Sequence, residues 1–428
     1  MNVVQIKNMA LVHANEEQRD RLKRSLTLSN KYTQEVLTLY KEREGDYIEI
    51  PIGMIPRPVN SGTWKEIDIQ FQGKLKADQI PLVMNYIRHI ENCSGGIIQS
   101  PTGSGKTIMA IDIMSRLKLK TLVIVPTDYL MKQWTERLLE HTNLQSKEIG
   151  ICRGDICEFK NEFTKVVIGM IHSLAKPGRY PESFYKEFGL CVIDEVHKLS
   201  APTFSQSLPQ FFTKYRLGMS ATARRKDGLE NVFFFHIGRI CSSSTKQDIK
   251  PTVFMMKYDD EASHHEGCVW GGELSLGRYF NKLAVIDRRN NFIADAVKRM
   301  YDKGRDILIL SDRIRQLNLL QLKFKKMNVS LEDVGIFTGV VKIGLDRKIL
   351  LATYGSAGLG ADIPRLSAVV FATPRVDVEQ SMGRVLRVTQ DKPQLVLDII
   401  DVRSSIMRKW AGVRMKYYQQ VAGKLHII

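Results

Sequence analysis

Long apolar runs and patterned cysteines are both missing from this sequence of 428 residues. No stretch approaches the roughly 18 apolar residues that a membrane span requires. The N-terminal segment has no basic stretch leading into an apolar one, so the sequence predicts no secretory signal and a cytoplasmic location. A disulfide framework is not expected, because the cysteines are scattered without a CxxC pair: Cys93, Cys152, Cys157, Cys191, Cys241 and Cys268.

One group of metal-binding residue types does occur, at His264, His265 and Cys268. A zinc site takes four ligands, usually as two paired halves, and the second half is missing here. The sequence therefore predicts no zinc site.

Acidic residues are in short supply, which leaves a formal net charge of +17. An excess of lysine and arginine attracts polyanions such as nucleic acid, although solubility alone would also account for it. Acidic and basic residues nearly cancel within the first 70 positions. The positive charge therefore lies mostly in the rest of the chain.

The length predicts two or three domains. Residues 1–70 form a small α+β module in this interpretation: a helix around "EEQRDRLKRSL", a second helical stretch "SNKYTQEVLTLYKERE" capped by Ser29 or Asn30, and the extended "DYIEIPIGMIPRP". Residues 71–238 and 239–428 each alternate short apolar runs with helical patterns. That alternation predicts two α/β domains in tandem, each with a parallel sheet.

The segment "IIQSPTGSGKTIMAIDIM" runs from an apolar strand through a glycine-rich turn into a helix, as a phosphate-binding loop does. The loop comprises Thr102, Gly103, Ser104, Gly105, Lys106 and Thr107. Its two glycines let backbone N–H groups surround phosphate oxygens, Lys106 would reach the β- and γ-phosphates of ATP, and the Thr107 hydroxyl would bind Mg²⁺. The strict pattern GxxxxGK[ST] is not met, because Ser100 stands in place of the first glycine.

Two adjacent carboxylates follow another apolar strand, in "LCVIDEVHKLS". Asp194 is predicted to hold the magnesium ion, and Glu195 to orient and deprotonate the attacking water. This pair predicts hydrolysis of the nucleotide as well as its binding.

Together these segments resemble the motifs of superfamily 2 helicases and translocases, in the same order. "LKADQ" is similar to the adenine-reading segment, "TLVIVPTDYLMKQWTERL" to motif Ia, "DEVH" to the Walker B variant and "GMSATARRKDG" to motif III. "ILILSDRIRQL", "LATYGSAGLGADIP" and "QSMGRVLR" resemble motifs IV, V and VI. The resemblance implies two RecA-like domains that use ATP and Mg²⁺.

The resemblance also implies roles for single residues. Gln79 would read adenine, Gly360 and Asp362 would touch the ribose, and Ser220 and Thr222 would couple hydrolysis to movement. Gln380, Arg384 and Arg387 follow QxxGRxxR, whose arginines in this family point at the γ-phosphate and stabilise the transition state. The implied nucleic-acid contacts, to the backbone of one strand, are Thr127, Ser173, Arg313 and Thr353; a helix cap or turn is the alternative role of each.

Weaker similarities, among them "DVEQSMGRVLR", point to the UvsW-like helicases of tailed phages, with XPB-like and poxvirus transcript-release helicases nearby. This branch implies DNA as the substrate, with forks and Holliday-type junctions favoured, in DNA repair and recombination by branch migration. Two alternatives remain: an RNA helicase or transcript-release factor, and a nucleic-acid-binding module with a vestigial ATPase. The motifs leave polarity, oligomeric state and protein partners open.

Two segments lie outside the motifs. Residues 402–428 predict a helix with an apolar stripe packed on the second domain, formed by Ile406, Trp410, Val413, Tyr417 and Val421. Its basic residues would remain outside, where DNA contact is the alternative; they are Arg403, Arg408, Lys409, Arg414 and Lys416. The sequence of residues 268–281 predicts a glycine-rich loop that carries Trp270, Arg278, Tyr279 and Phe280. This loop is either an ordinary hairpin or packed loop, or a projection whose aromatic rings stack on bases and separate base pairs.

Overall fold

The structure is a computed structural model that describes residues 3–55, 63–101, 103–176, 178–197, 207–221, 228–244, 250–270, 273–339, 341–358, 365–376, 378–379, 381–382 and 393–428. The chain divides into two compact units, Met1–Lys246 and Gln247–Ile428. Among the helices described, none has both the length and the apolar character needed to cross a membrane.

The N-terminal part of the first unit is a small module of strands and one helix. Its elements are β1 (Val3–Ile6), β2 (Met9–His13), α1 (Glu16–Leu26), β3 (Thr27–Ser29), β4 (Val36–Thr38), β5 (Lys41–Arg43) and β6 (Tyr47–Pro51). An antiparallel sheet has the order β1-β2-β6-β5, and β3 pairs with β4. Helix α1 is confirmed and begins with a capping box at Asn15.

The second helix predicted in this module, after Ser29 or Asn30, is wrong. Residues 27–38 form a β-hairpin whose turn is organised by the Asn30 side chain, which accepts hydrogen bonds from the backbone of Tyr32 and Thr33. Gln34 in the same turn has a φ of +58°. Leu28 and Leu37 pair across the strands and pack on the core of the module, so the apolar spacing follows a strand and not a helix.

The rest of the first unit is a sheet of eight strands covered by helices. Its strands are β7 (Gly95–Gln99), β8 (Thr121–Val125), β9 (Ile149–Arg153), β10 (Ile156–Cys157), β11 (Val166–Met170), β12 (Leu190–Asp194), β13 (Tyr215–Ser220) and β14 (Ile240–Ser243). Its helices are α2 (Gln79–Ile90), α3 (Lys106–Leu117), α4 (Asp128–His141), α5 (Ile171–Leu174), α6 (Glu182–Lys186) and α7 (Asn231–Ile237). The strand order is β10-β9-β11-β8-β12-β13-β7-β14, parallel except for the β9–β10 hairpin.

Alternation along the strands explains why both faces of this sheet are covered. Ile98, Val123 and Val192 belong to the core on one face, whereas Ile97, Leu122 and Ile193 belong to the core on the other. A parallel sheet buried on both faces needs such apolar runs, and these are the runs that the sequence offers. The sheet extends past residue 238, because β14 pairs with β7.

The second unit repeats the architecture. Its strands are β15 (Thr252–Tyr258), β16 (Val269–Trp270), β17 (Glu273–Leu274), β18 (Ile307–Ser311), β19 (Val334–Phe337), β20 (Lys342–Ile343), β21 (Ile349–Thr353), β22 (Ala368–Phe371), β23 (Leu395–Asp401) and β24 (Lys424–Ile427). Its helices are α8 (Leu276–Val285), α9 (Asp287–Asp302), α10 (Ile314–Lys326), α11 (Tyr354–Gly358) and α12 (Ser405–Val421). The main sheet has the order β20-β19-β21-β18-β22-β23-β15-β24, in which only β19–β20 is antiparallel. The predicted tandem α/β fold is confirmed.

Helix α12 is present, but its buried stripe is shifted along the sequence by one position from the predicted stripe. The buried positions are Met407, Ala411, Arg414 and Tyr418, and Val413 is 49% exposed. Arg414, expected outside, is buried because its guanidinium pairs with both carboxylate oxygens of Asp398 on β23, at 2.7 and 3.0 Å. The prediction of an outward Arg414 is therefore wrong.

The segment 268–281 forms the hairpin β16–β17 followed by helix α8. Tyr279 and Phe280 are buried in a small cluster with Cys268, Leu283 and Met407. This packing favours the hairpin interpretation over a base-stacking projection for these two rings.

Candidate nucleotide-binding site

The carboxyl ends of three neighbouring strands bring the first group of predicted site residues together. β13 lies between β12 and β7, and Ser220 is in register with Gln99 while Asp194 is in register with Met219. Because parallel strands end at the same edge, the glycine-rich loop after β7, the carboxylates after β12 and the Ser220 end of β13 lie side by side there.

Backbone geometry in the glycine-rich loop requires glycine. Gly103 and Gly105 have φ values of +85° and +81°. A Cβ atom at Gly105 would lie 2.3 Å from Nε2 of Gln79. That amide donates to the Ser104 carbonyl oxygen at 2.7 Å, so Gln79 holds the loop from one side.

Lys106 opens helix α3, directly after the loop. Its ammonium group donates to the carbonyl oxygens of Ser100 and Pro101, at 2.9 and 3.0 Å. The first backbone N–H groups of the helix and its positive dipole end lie at the same point, which makes the loop suited to a phosphate group.

The departure of Ser100 from the strict loop pattern has a local explanation. Its hydroxyl donates to the Ser104 hydroxyl at 2.7 Å, and its backbone N–H donates to the Ser220 carbonyl oxygen at 3.0 Å. The serine side chain is thus accommodated inside the loop and ties its two ends together.

Asp194 ends strand β12 and is 8% exposed. Burial, reinforced by the charge of Glu195, raises the pKa of Asp194 to about 6. A hydrogen bond from the Trp134 indole and the charge of Lys106 oppose this rise. The Trp134 Nε1 to Asp194 Oδ2 distance is 3.0 Å, and the Glu195 N–H donates to Oδ1 at 3.0 Å.

Glu195 has a positive φ of +55°, which is strained for a residue with a side chain. Its Oε2 atom is buried, has no hydrogen-bond partner among the described residues and lies 3.4 Å from Nδ1 of His197. The same Nδ1 atom lies 3.2 Å from the Ser220 hydroxyl oxygen. A buried carboxylate oxygen that is not hydrogen-bonded by any described residue is suited to accept a proton from water in this site.

Mg²⁺ is implied by the motifs and fits the oxygen donors present. Asp194 supplies carboxylate oxygens, and Thr107 supplies a hydroxyl in the first turn of α3. Both are hard ligands of the kind that Mg²⁺ prefers. The residues described contain no cluster of three or more His, Cys, Asp and Glu side chains that could hold a metal ion by themselves.

The predicted nucleic-acid contacts of the first unit, Thr127 and Ser173, follow the adjacent strands β8 and β11. Thr127 caps helix α4, where its hydroxyl accepts from the Leu130 N–H at 3.3 Å. The Ser173 hydroxyl accepts from the Gly154 N–H at 2.8 Å and is largely buried. Both hydroxyls therefore already hold local backbone structure.

In the second unit Thr353 is the last residue of β21, and Arg313 follows the neighbouring strand β18. The Thr353 hydroxyl lies 2.7 Å from the Ser356 hydroxyl and accepts from the Ser356 N–H. Arg313 donates to the carbonyl oxygens of Asp312 and Gly277, and its guanidinium lies 5.7 Å from the centre of the Phe280 ring. All four predicted contacts remain predictions.

Several predicted site residues lie outside the described residues: Thr102, Thr222, Gly360, Asp362, Gln380, Arg384 and Arg387. Sequence reasoning in turn missed two residues that touch the site, Trp134 and His197. Both stand within the segments that matched motif Ia and the Walker B variant, but only the fold shows which atoms they reach.

Comparisons with known proteins identify relatives of this chain. The profile of the family described as "Type III restriction enzyme, res subunit" matches residues 72–225. A protein of Acanthamoeba polyphaga mimivirus, named as an ATP-dependent RNA helicase, is 31% identical over 403 residues, which cover 89% of this chain and 76% of that protein.

Two solved structures are also similar. Saccharomyces cerevisiae Dbp5, bound to RNA and ADP BeF3, matches 83% of this chain and 89% of its own, at 15% identity and a TM-score of 0.56. The crystal structure of T4 UvsW matches 100% of this chain and 99% of its own, at 17% identity and a TM-score of 0.39. The first likeness agrees with two RecA-like domains in tandem.

Proposed function

We propose that this chain is a DNA helicase or translocase, since it belongs to the ATP-dependent helicases of superfamily 2. It couples hydrolysis of MgATP to movement along one strand. The observation that carries the proposal is the set of Lys106, Asp194 and Glu195 at one edge of the first sheet, where the charges of Lys106 and Glu195 both act on the Asp194 carboxylate.

In this proposal each residue has a separate task. The loop 102–107 and the start of α3 bind the phosphates, Asp194 and Thr107 hold Mg²⁺, and Glu195 accepts a proton from the attacking water. Gln79 reads adenine, and Gly360 and Asp362 touch the ribose. Arg384 and Arg387, with Gln380, stabilise charge on the γ-phosphate, while Ser220 and Thr222 couple hydrolysis to movement.

Mg²⁺, held by Asp194 and Thr107, would neutralise phosphate charge when bound. In addition to these proton-accepting and charge-stabilising roles, the chain orients the carboxylates. Trp134 and the Glu195 N–H fix the Asp194 carboxylate, and His197 lies between Glu195 and Ser220. A change in the position or charge of the Glu195 carboxylate on hydrolysis would therefore be transmitted through the His197 imidazole to Ser220 in motif III.

DNA with forks or Holliday-type junctions is the proposed substrate. The net charge of +17 supports a polyanionic partner, and the motif similarity to UvsW-like phage helicases supports branched DNA. RNA is the second candidate, because the mimivirus relative is named as an RNA helicase. A backbone grip through Thr127, Ser173, Arg313 and Thr353 would serve either polymer.

The test is a comparison of ATPase stimulation by single-stranded DNA, duplex, fork, four-way junction and RNA in one buffer. Forked and four-way DNA should stimulate most, and Lys106→Ala should abolish turnover while nucleic-acid binding stays within several-fold. Glu195→Gln should bind ATP without hydrolysing it. Greater stimulation by RNA would overturn the DNA assignment, and hydrolysis at the parent rate in either variant would overturn the assignment of the active site.

We further propose that residues 1–70 help to bind the branch. The β3–β4 hairpin carries two exposed apolar side chains, Tyr32 and Val36, at 72% and 62%, next to Lys31. An exposed aromatic ring beside a cation is suited to stack on an unpaired base.

Deletion of the module is a poor test, because Leu229 and Val232 beside and within α7 belong to its hydrophobic core and would be exposed. Tyr32→Ala leaves that core intact. It should lower the affinity for forks by about tenfold, from the loss of one stacked base, and leave ATPase stimulation by single-stranded DNA unchanged. Equal fork affinity in Tyr32→Ala and in the exposed-site control Val413→Ala would exclude this role for the hairpin.

A further inference from the structure

The hairpin β9–β10 places two cysteines opposite each other. Cys152 and Cys157 are directly paired across the two antiparallel strands. Their sulfur atoms are 2.8 Å apart, and both are free thiols. Neither residue takes part in the nucleotide site described above.

The geometry of this pair matches what a disulfide needs. The next pair along the hairpin is hydrogen-bonded, since the Glu158 N–H donates to the Ile151 carbonyl oxygen at 3.0 Å. Cys152 and Cys157 therefore form a non-hydrogen-bonded pair, in which Cα atoms are about 4.5 Å apart. Disulfides span Cα distances of about 4.4–6.8 Å, so the bond can close without a change of register.

The turn that joins the strands is firmly held. Gly154 has a φ of +58° and lies at the first central position of a two-residue turn, where a type II′ turn has its glycine. Its carbonyl oxygen accepts from Arg179 Nε and from the Tyr180 hydroxyl, and its N–H donates to Ser173. The two thiols are thus kept face to face by contacts on both sides of the turn.

We propose that Cys152 and Cys157 are a reversible redox modification site, at which an intrachain disulfide closes across the hairpin in the presence of a low-molecular-weight disulfide such as oxidised glutathione. The Cys157 thiolate attacks one glutathione sulfur and expels the other as a thiolate. The Cys152 thiolate then attacks Cys157 Sγ and expels the second glutathione. Two protein thiols are oxidised, one glutathione disulfide is reduced to two glutathione molecules, and the two protons that the protein thiols lose are taken up by the two expelled glutathione thiolates.

Exposure decides the order of these steps. Cys157 is half-buried, whereas Cys152 is fully buried against the aromatic cluster that contains Phe159 and Phe184. Burial raises the pKa of both thiols, and the charge of Lys160 opposes this at Cys157 while that of Glu158 adds to it at Cys152. Tyr180 and Tyr185 also face the pair. Exchange is therefore slow in neutral buffer and faster in mildly alkaline buffer.

The experiment uses the full chain, incubated with oxidised glutathione in mildly alkaline buffer, alkylated, and digested with trypsin. Trypsin cuts after Lys147, Arg153 and Lys160, so the two cysteines lie on separate peptides, "EIGICR" and "GDICEFK". We expect the protein to lose two of its six thiols and these two peptides to appear as one species, lighter than their sum by two hydrogen atoms. Dithiothreitol should separate them.

Cys157→Ser should abolish the linked species. Cys241→Ser is the matched control, because Cys241 donates to the Ile97 carbonyl oxygen and has Cys93 nearby; it should leave the linked species unchanged. Retention of all six thiols, glutathione adducts without a link, or a link through other cysteines would each overturn the proposal. This outcome is independent of ATPase activity, so it does not depend on the proposed function.

Discussion

The indole N–H of Trp134 donates to Oδ2 of Asp194 at 3.0 Å, with both side chains buried. Trp134 lies on helix α4, which begins at the predicted nucleic-acid contact Thr127. One helix thus connects the end of β8 to the carboxylate that is proposed to hold Mg²⁺. We therefore expect that a displacement of α4 by a bound strand would change the position of that carboxylate.

Trp134→Phe should lower kcat for ATP about tenfold to a hundredfold, since a hydrogen bond to a charged group is worth about 1.5–3 kcal/mol. Steady-state ATPase kinetics together with thermal melting measure the effect. Thr135→Ala, which removes only a hydroxyl bonded to the Met131 carbonyl oxygen within the helix, is the matched control. An unchanged kcat with a lowered melting temperature would assign Trp134 a packing role only.

Gly105→Ala should weaken ATP binding about tenfold or more. The left-handed backbone costs an alanine about 1–2 kcal/mol, and its Cβ would meet the Gln79 amide, which is held by both Ser104 and Lys76. Titration with a fluorescent ATP analogue measures the affinity. In Gly412→Ala, within helix α12, the added Cβ meets nothing within 4 Å, so affinity should not change and stability should rise by about 0.5–1 kcal/mol. Parent-like binding by Gly105→Ala would show that the loop can shift away from Gln79.

His236 should make the first unit sensitive to acid. Burial, with a smaller effect from the charge of Arg216, lowers the pKa of His236 to about 3. Between that value and the ordinary pKa of about 6.5, the unfolded chain binds a proton that the folded chain does not. The free energy of unfolding should therefore fall by about 1.4 kcal/mol for each pH unit below about 6.5, and this residue should contribute no slope above it.

Urea unfolding of the parent and of His236→Leu at several pH values isolates this contribution, with exposed His13→Gln as the control. His236→Leu should show a shallower loss of stability on acidification, whereas His13→Gln should follow the parent. Parallel pH curves for the parent and His236→Leu would mean that His236 becomes protonated in the folded state.

Arg414→Met should destabilise the second unit by about 3–5 kcal/mol, because it leaves the Asp398 carboxylate buried without its cation. The adjacent exposed change Val413→Ala should stay within about 0.5 kcal/mol. Thermal melting of both variants gives the comparison. If Val413→Ala destabilised the protein more than Arg414→Met, then Val413 would be the buried residue, as the sequence predicts.

The apolar runs that precede the motifs predicted the inner strands of both main sheets, whereas the sequence did not predict the strands towards the sheet edges, β9, β10, β14, β15, β20 and β24. Continuous apolar runs such as "TLVIVPT" and "DILILSD" are typical of strands that are buried on both faces of a parallel sheet. The site residues follow directly at the ends of these strands. Asp194 and Lys106 could therefore be placed at one edge without knowledge of the fold.

The contacts that depend on tertiary pairing could not be predicted in this way. Trp134 reads as one more apolar position of α4, and its bond to Asp194 exists only because β8 is the neighbour of β12. Helix α12 has two adjacent stripes that contain apolar residues, one through Val413 and one through Arg414. Arg414 is on the buried stripe because its guanidinium pairs with the Asp398 carboxylate. The hairpin at 27–38 was predicted as a helix because its turn depends on a side chain, Asn30, that equally caps helices.

Strand β14 runs parallel to β7, with Ile240, Ser242 and Ser243 opposite Ile97, Ile98 and Gln99, and the Ser244 N–H donates to the Gln99 carbonyl oxygen at 2.9 Å. A pull on the chain beyond Ser244, directed along the strand, loads these hydrogen bonds together in shear, so that they do not open one after another. The strand that takes the load is β7, which leads into the phosphate loop. Mechanical tension in the connecting chain is thus delivered to the base of the loop at Gln99, one residue before Ser100.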